Sequence, residues 1–166
     1  MRDHLGYRNY QNIRVNGKCY KGLDQLEELC QSLRLKGEEW QLSLAQFLSD
    51  WLTDSETIFI QTSGSTGIPK RIKVAKSAMV ASALKTVGFF SLQKNDKVLL
   101  CLSTDYIAGK MMVVRALVGG LNLIPVAVVS NPMKEFAGEV DFSAMVASQV
   151  QTIMDDDLSA LKRIKK

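Results

Sequence analysis

The stretch Ile60-Gln61-Thr62-Ser63-Gly64-Ser65-Thr66-Gly67-Ile68-Pro69-Lys70 stands between two strand-like runs and decides how the chain reads. Before it, Thr57-Ile58-Phe59-Ile60 is β-branched and aromatic, the composition of a buried strand. After it, Arg71-Ile72-Lys73-Val74 alternates basic and apolar residues, the pattern of a strand with one wet face. Glycine lets backbone approach an anion closely, and successive N–H groups can form a concave nest for phosphate oxygens. The serine and threonine hydroxyls add donors, and Lys70 adds a mobile point charge. The stretch is therefore a phosphate grip. It is not a Walker loop, which from Gly64 would need glycine at Pro69 and a hydroxyl at Arg71. With glycines only at Gly64 and Gly67, it is not a dinucleotide-binding turn either.

Composition bounds the setting. The 166 residues suffice for one domain with a real core, and 46% hydrophobic with 23% charged residues is ordinary for a globular chain. A net charge of +4 suits an anionic small molecule and is too mild to argue for nucleic acid. Cys19, Cys30 and Cys101 have no metal-ligand spacing and are odd in number, which points to a reducing compartment. No apolar run reaches membrane-spanning length and Met1-Arg2-Asp3-His4 opens no signal peptide, so the expected location is cytoplasmic, with no membrane partner. His4, the sole histidine, lies in a polar terminus and is not expected to be catalytic.

Along the chain, Asn16-Gly17 between Ile13-Arg14-Val15 and Lys18-Cys19-Tyr20 predicts a hairpin with a type I′ turn. Leu23, Leu26, Leu29, Cys30 and Leu33 predict a helix closed at Lys36-Gly37, and Trp40, Leu44, Phe47, Leu48 and Trp51 a second one. A third runs through Met79, Val80, Ala83, Leu84 and Val87. Val98 to Leu102 reads as a buried strand, Ile107 to Val118 as a helix apolar nearly all round except Lys110 and Arg115, and Leu121 to Val129 as another strand. That is a β-α-β unit with a parallel pair. Asp141 to Val146 is a shorter strand candidate, followed by a helix from Ser148 or Gln149. Asp155-Asp156-Asp157 invites a metal reading, but acids opening a helix that ends in Lys165-Lys166 would simply complement its macrodipole. The expected division is residues 1–56, a helical and hairpin segment, and residues 57–166, the phosphate-loop and β-α-β portion.

From Thr62 to Lys70 every position matches T-S-G-[ST]-T-G-x-P-K, and on that motif the chain resembles the adenylate-forming enzymes, the acyl-CoA synthetase and ligase superfamily. The likeness continues from about Thr57 to Met154. Leu102-Ser103-Thr104-Asp105-Tyr106-Ile107-Ala108-Gly109 is similar to the family's L-P-x-x-H-x-x-G, with Tyr106 at the histidine position and Ser103 at the proline. Met145-Val146-Ala147-Ser148-Gln149 is similar to its V-P-T-Q, with Ala147 for proline. Met111 to Leu117, with Arg115 inside it, looks most like the o-succinylbenzoate–CoA ligases of menaquinone biosynthesis.

The resemblance implies an α/β fold, a partial parallel sheet with flanking helices that forms the front part of the family's large N-terminal domain. It also implies an acid–thiol ligase that forms AMP, with ATP and Mg2+, coenzyme A as co-substrate and a small carboxylic acid as substrate. Thr62, Ser63, Gly64, Ser65, Thr66, Gly67 and Lys70 would hold ATP, and Lys70 would act on the departing pyrophosphate. Tyr106 would line the acyl site, or else be a half-buried ring at a strand end. Arg115 would grip a second substrate carboxylate, or else be a snorkelling or ion-paired structural residue. The family's later motifs and its metal ligand have no match here, so no residue is assigned to a metal. The chain is expected to be a fragment, inactive alone, whose open sheet edge favours self-association. Three alternatives remain, a non-catalytic phosphate- or nucleotide-binding module, a basic nucleic-acid binder, and another acyl-CoA synthetase of the same superfamily. The second has no aromatic stacking platform to support it.

Overall fold

Asn16 and Gly17 both take positive φ, 48° and 85°, and so close the tight hairpin between β1 (Asn12–Val15) and β2 (Lys18–Lys21). The computed structural model describes residues 6–61 and 71–166; residues 1–5 and 62–70 lie outside it, and with them His4 and the whole predicted phosphate loop from Thr62 to Lys70. Helix α1 (Gly22–Lys36) buries Leu26, Leu29, Cys30 and Leu33 and stops at Gly37, whose left-handed φ of 76° returns its N–H to the Leu33 carbonyl. It packs on α2 (Glu39–Leu52), which buries Leu44, Phe47, Leu48 and Trp51. Next come β3 (Thr57–Gln61), β4 (Arg71–Ala75), α3 (Lys76–Phe89), β5 (Lys97–Leu100) and α4 (Ile107–Gly119). The chain continues through β6 (Asn122–Pro125), α5 (Pro132–Glu135), β7 (Phe142–Ser143) and α6 (Ala147–Asp157), followed by a 3-10 helix over Leu158–Arg163.

The main sheet has the order β2-β1-β6-β5-β7. All its pairs are parallel except β1–β2, so the expected β5-α4-β6 unit is present and the sheet is mixed only at the hairpin. Alternation in its strands feeds two cores. Val98, Leu100 and Leu123 face α1 to α4, together with Ile13 and Val15 from β1. Leu99, Cys101, Ile124 and Val126 face the other way, against Met133, Val140, Ile153 and Ala160. Two helical layers thus cover a central sheet, as strands buried on both faces require. The hairpin β3–β4 forms a separate two-stranded sheet.

Four expectations are corrected. The strand predicted over Leu121 to Val129 ends at Pro125, because its partner β5 ends at Leu100 and the last bond runs from Val126 N–H to the Leu100 carbonyl. The segment from Asp141 to Val146 gives only the two-residue β7. Thr57 to Ile60 is buried on one face only, with Ile58 and Ile60 inside and Phe59 exposed. The three aspartates end α6, and only Asp157 opens a helix, the short 3-10 helix with Lys162 and Arg163 in its last turn. Asp156 accepts from Asn131 Nδ2 at 2.7 Å and pairs with Lys134 at 2.8 Å. Asp157 caps the 3-10 helix by accepting from Ser159 N–H at 2.9 Å. These hydrogen bonds, Lys134 first for Asp156 and Ser159 first for Asp157, hold both carboxyls below their usual range.

Candidate functional site

The hairpin β3–β4 presents its ends to the rest of the molecule. Gln61 and Arg71 are the last paired residues of the hairpin. Gln61 is also bridged, in parallel sense, to Tyr106, which couples the hairpin to the turn between β5 and α4. An apolar cleft of about 570 Å³ opens there, lined by Gln61, Leu102, Ser103, Tyr106, Ile107, Ala108, Val128 and Val146. That volume lies in the range of small-molecule sites, and the lining is mostly side chains with no strong preference for water. Tyr106 is the N-cap of α4 and is 44% exposed, its ring on the cleft wall.

Backbone packing explains the small residue in the motif. A Cβ on Gly109 would lie 2.2 Å from the Ser103 carbonyl oxygen and 2.7 Å from that of Leu102. The turn therefore rests directly on the first turn of α4, which only glycine permits. Several of its polar groups are engaged. Tyr106 N–H donates to the Ser103 carbonyl at 3.3 Å. Ser103 Oγ donates to Asp105 Oδ2 at 2.9 Å and accepts from Asp105 N–H at 3.1 Å. Thr104, 2% exposed, shares a 2.6 Å hydrogen bond with Ser43 of α2, and its carbonyl accepts from the Lys110 ammonium.

The opposite wall is fixed by Gln149, the last residue of the segment similar to V-P-T-Q. Buried at 4% exposure, its Nε2 donates to the carbonyls of Cys101 and Val129, each at 3.0 Å. Its Oε1 accepts from Val146 N–H at 3.3 Å. One side chain thus ties together the end of β5, the segment carrying Val128, and the start of α6 carrying Val146. The pattern of a glutamine three residues after a helix entry could have announced a cap, but its two carbonyl partners are distant in sequence.

On the other side of Gln61 lies a polar cleft of about 640 Å³, whose lining includes Gln46, Asp50, Phe59, Arg71, Asp105 and Lys110. The Arg71 guanidinium lies 4.6 Å from the Phe59 ring centre and the Lys73 ammonium 5.3 Å, so the exposed hairpin face carries cations over an aromatic ring.

Arg115 is not brought to the apolar cleft. It sits nine residues, two and a half helical turns, beyond Tyr106, about 13.5 Å along the axis at the helical rise. Its guanidinium lies 6.0 Å from the Phe142 ring centre. Its Nε is buried without a hydrogen-bond partner among the described residues, and burial pushes its pKa down from the ordinary value. Among the described residues no group of three His, Cys, Asp or Glu side chains could hold a metal ion, and no helix is long and apolar enough to cross a membrane.

No protein-family model matches the chain, and no curated protein matches it. Solved structures do. An acyl-CoA synthetase (AMP-forming)/AMP-acid ligase II-like protein from Dyadobacter fermentans shares 31% identity at a TM-score of 0.71, over 82% of this chain and 39% of its own. A variant of Escherichia coli MenE with bound OSB-AMS shares 16% identity at a TM-score of 0.59, over 94% of this chain and 52% of its own. The Bacillus subtilis o-succinylbenzoate coenzyme A synthetase (MenE), in complex with AMP, shares 17% at 0.52, over 91% and 46%. The chain thus spans two fifths to a half of these proteins, and its fold is that of the N-terminal domain of adenylate-forming acyl-CoA synthetases and ligases over that span.

Proposed function

We propose that this chain supplies the phosphate loop and the acyl-cleft wall of an AMP-forming carboxylate–CoA ligase whose acid is o-succinylbenzoate. The observation that carries the reading is the Gln61–Tyr106 bridge, which sets the end of the loop-bearing hairpin at the rim of an apolar cleft of about 570 Å³. A ligase of this kind needs an activated phosphate and an organic acid within bonding distance, and this junction brings their two binding elements together.

In the reaction, a carboxylate oxygen attacks the α-phosphorus of ATP, the bond to pyrophosphate breaks, and a mixed anhydride with AMP forms. The thiol of coenzyme A then attacks the acyl carbon, AMP leaves, and the thiol proton passes to solvent. The first step joins two anions, so donors must spread and neutralise the triphosphate charge. Thr62, Ser63, Ser65 and Thr66 with the backbone from Gly64 to Gly67 serve as those donors, and Lys70 balances the departing pyrophosphate. Tyr106 packs the aromatic acid. Magnesium supplies charge neutralisation to the phosphates when bound, and with no suitable cluster among the described residues it is assigned no ligand here. Arg115 serves as the grip for the second carboxylate only if the acid reaches the Phe142 side of α4, where its unpartnered Nε lies.

The test is ATP–pyrophosphate exchange by the full-length gene product with a panel of carboxylic acids. Exchange that depends on o-succinylbenzoate supports the reading, and exchange with another acid moves the substrate while keeping the reaction. ATP binding with no exchange for any acid would make the protein a nucleotide-binding module instead.

A further inference from the structure

Position 110 could be filled by leucine or methionine with no charge to desolvate, since α4 buries Met111 to Val114 around it. Lys110 stands there instead, 7% exposed, with its ammonium 5.3 Å from the centre of the Phe47 ring. That ammonium donates to the carbonyl of Thr104. No helical amide can reach this oxygen, because the first helical bond runs from Lys110 N–H to the Tyr106 carbonyl, two residues later. The side chain of Lys110 thus satisfies a buried acceptor that its own backbone leaves behind. From the opposite side the Ser43 hydroxyl, 2.6 Å from that of Thr104, ties the same residue to α2.

We propose that Lys110 is a positioning residue, whose ammonium acts with Ser43 to clamp Thr104 and thereby hold Ser103 and Tyr106 in the wall of the apolar cleft. The link to the acid rests on the proposed function; the clamp itself does not. Burial pushes the pKa of Lys110 below its ordinary value, against the nearby charges of Asp105 and Asp50, which favour the ammonium. The arrangement also explains why the turn needs no proline at Ser103: side-chain bonds on both flanks of Thr104 replace ring stiffness.

The experiment pairs Lys110→Met and Ser43→Ala in the full-length protein and reads two quantities. Amide hydrogen exchange at Asp105 and Tyr106, whose N–H groups bond to Ser103, should quicken about tenfold in Lys110→Met while amides of α3 and β5 keep their wild-type protection. In pyrophosphate exchange the KM for the acid should rise about tenfold, with the KM for ATP within about twofold. Ser43→Ala should show the same pattern more weakly, and it carries the test if Lys110→Met fails to fold. Unchanged amide protection at 105 and 106 would overturn the proposal. So would equal rises in both KM values, which would mark a general structural role, or a rise for ATP alone, which would make Lys110 a ligand contact through the polar cleft. If the wild type exchanges pyrophosphate with no acid, the ligase reading fails, and the amide measurement still decides the clamp.

Discussion

The β5–α4 turn and the β3–β4 hairpin meet at one backbone bridge, yet they are held by opposite means. In the turn, Ser103 to Tyr106 are bound to Ser43, Lys110 and one another, and the backbone lies on Gly109 without room for a methyl group. The hairpin is a two-stranded sheet on its own, with Phe59 and Ile72 each nearly half exposed. The proposed function would need both kinds of part: a wall of fixed geometry to grip the acid, and a phosphate-binding segment to accept ATP and release pyrophosphate. Changes in the turn should therefore cost stability and acid affinity, and changes on the hairpin should cost turnover with little loss of stability.

Gly109→Ala breaks the comparison hardest. With the new Cβ only 2.2 Å from the Ser103 carbonyl, the turn must lift off α4, and the loss should reach about 3 kcal/mol in denaturant unfolding. Lys76→Met comes next. Its fully buried ammonium donates to the carbonyls of Trp51 at 2.9 Å and Thr53 at 2.8 Å and lies 4.5 Å from the centre of the Tyr7 ring. Removing it strands acceptors at the C-terminus of α2 and should cost about 2 kcal/mol. On the hairpin, Phe59→Ser should change stability by less than about 1 kcal/mol, the scale of an exposed cation–π contact with Arg71 and Lys73. A loss of about 3 kcal/mol there would mean that the hairpin is as firmly built as the turn.

The smallest effect lies far from both regions. Asp141 accepts from Lys97 N–H at 2.8 Å and pairs with Lys165 at 2.7 Å, and the Lys165 hydrogen bond holds its carboxyl below the ordinary value of 3.8. A carboxyl depressed in the folded state adds stability above its unfolded pKa and loses it as pH falls through the folded one. Asp141→Asn should thus cost about 0.5 kcal/mol at neutral pH and nothing in strong acid, since the pair is largely solvent-screened. Chemical denaturation at pH 7 and pH 2 would read the difference.

The helices and the first hairpin were legible because period and turn chemistry are local: Asn16-Gly17, the Leu26 to Leu33 stripe and Gly37 each speak for themselves. Strand ends were less so. Val126 to Val129 looks like strand from its own residues, and only the end of β5 at Leu100 leaves it unpaired. The aspartates misled because a charge run has the same look at either end of a helix, whereas their partners Asn131 and Lys134 lie some twenty residues upstream. In the candidate site, the phosphate-loop reading of Thr62 to Lys70 rests on composition and motif and lies outside the described residues. The roles of Lys110, Gln149 and Gly109 were hidden because the groups they touch belong to other segments: Phe47, Val129 and the Ser103 backbone. The helix pattern leaves Arg115 open between an anion grip and a structural residue, and its neighbour Phe142 comes from a strand 27 residues away, seen only once the chain is folded.

The most direct test of the division between the two regions is steady-state pyrophosphate exchange by Lys70→Ala and Tyr106→Ala in the full-length protein. On the proposed function, Lys70→Ala should lower the maximal rate about a hundredfold with the KM for the acid nearly unchanged, because its charge would act as pyrophosphate departs. On the same proposal, Tyr106→Ala should raise the KM for the acid about tenfold and leave the KM for ATP alone, because its ring would pack the acid and not the nucleotide. If both variants shift the same constants, or if Lys70→Ala exchanges pyrophosphate at the wild-type rate, the hairpin and the turn do not serve separate substrates and the account is wrong.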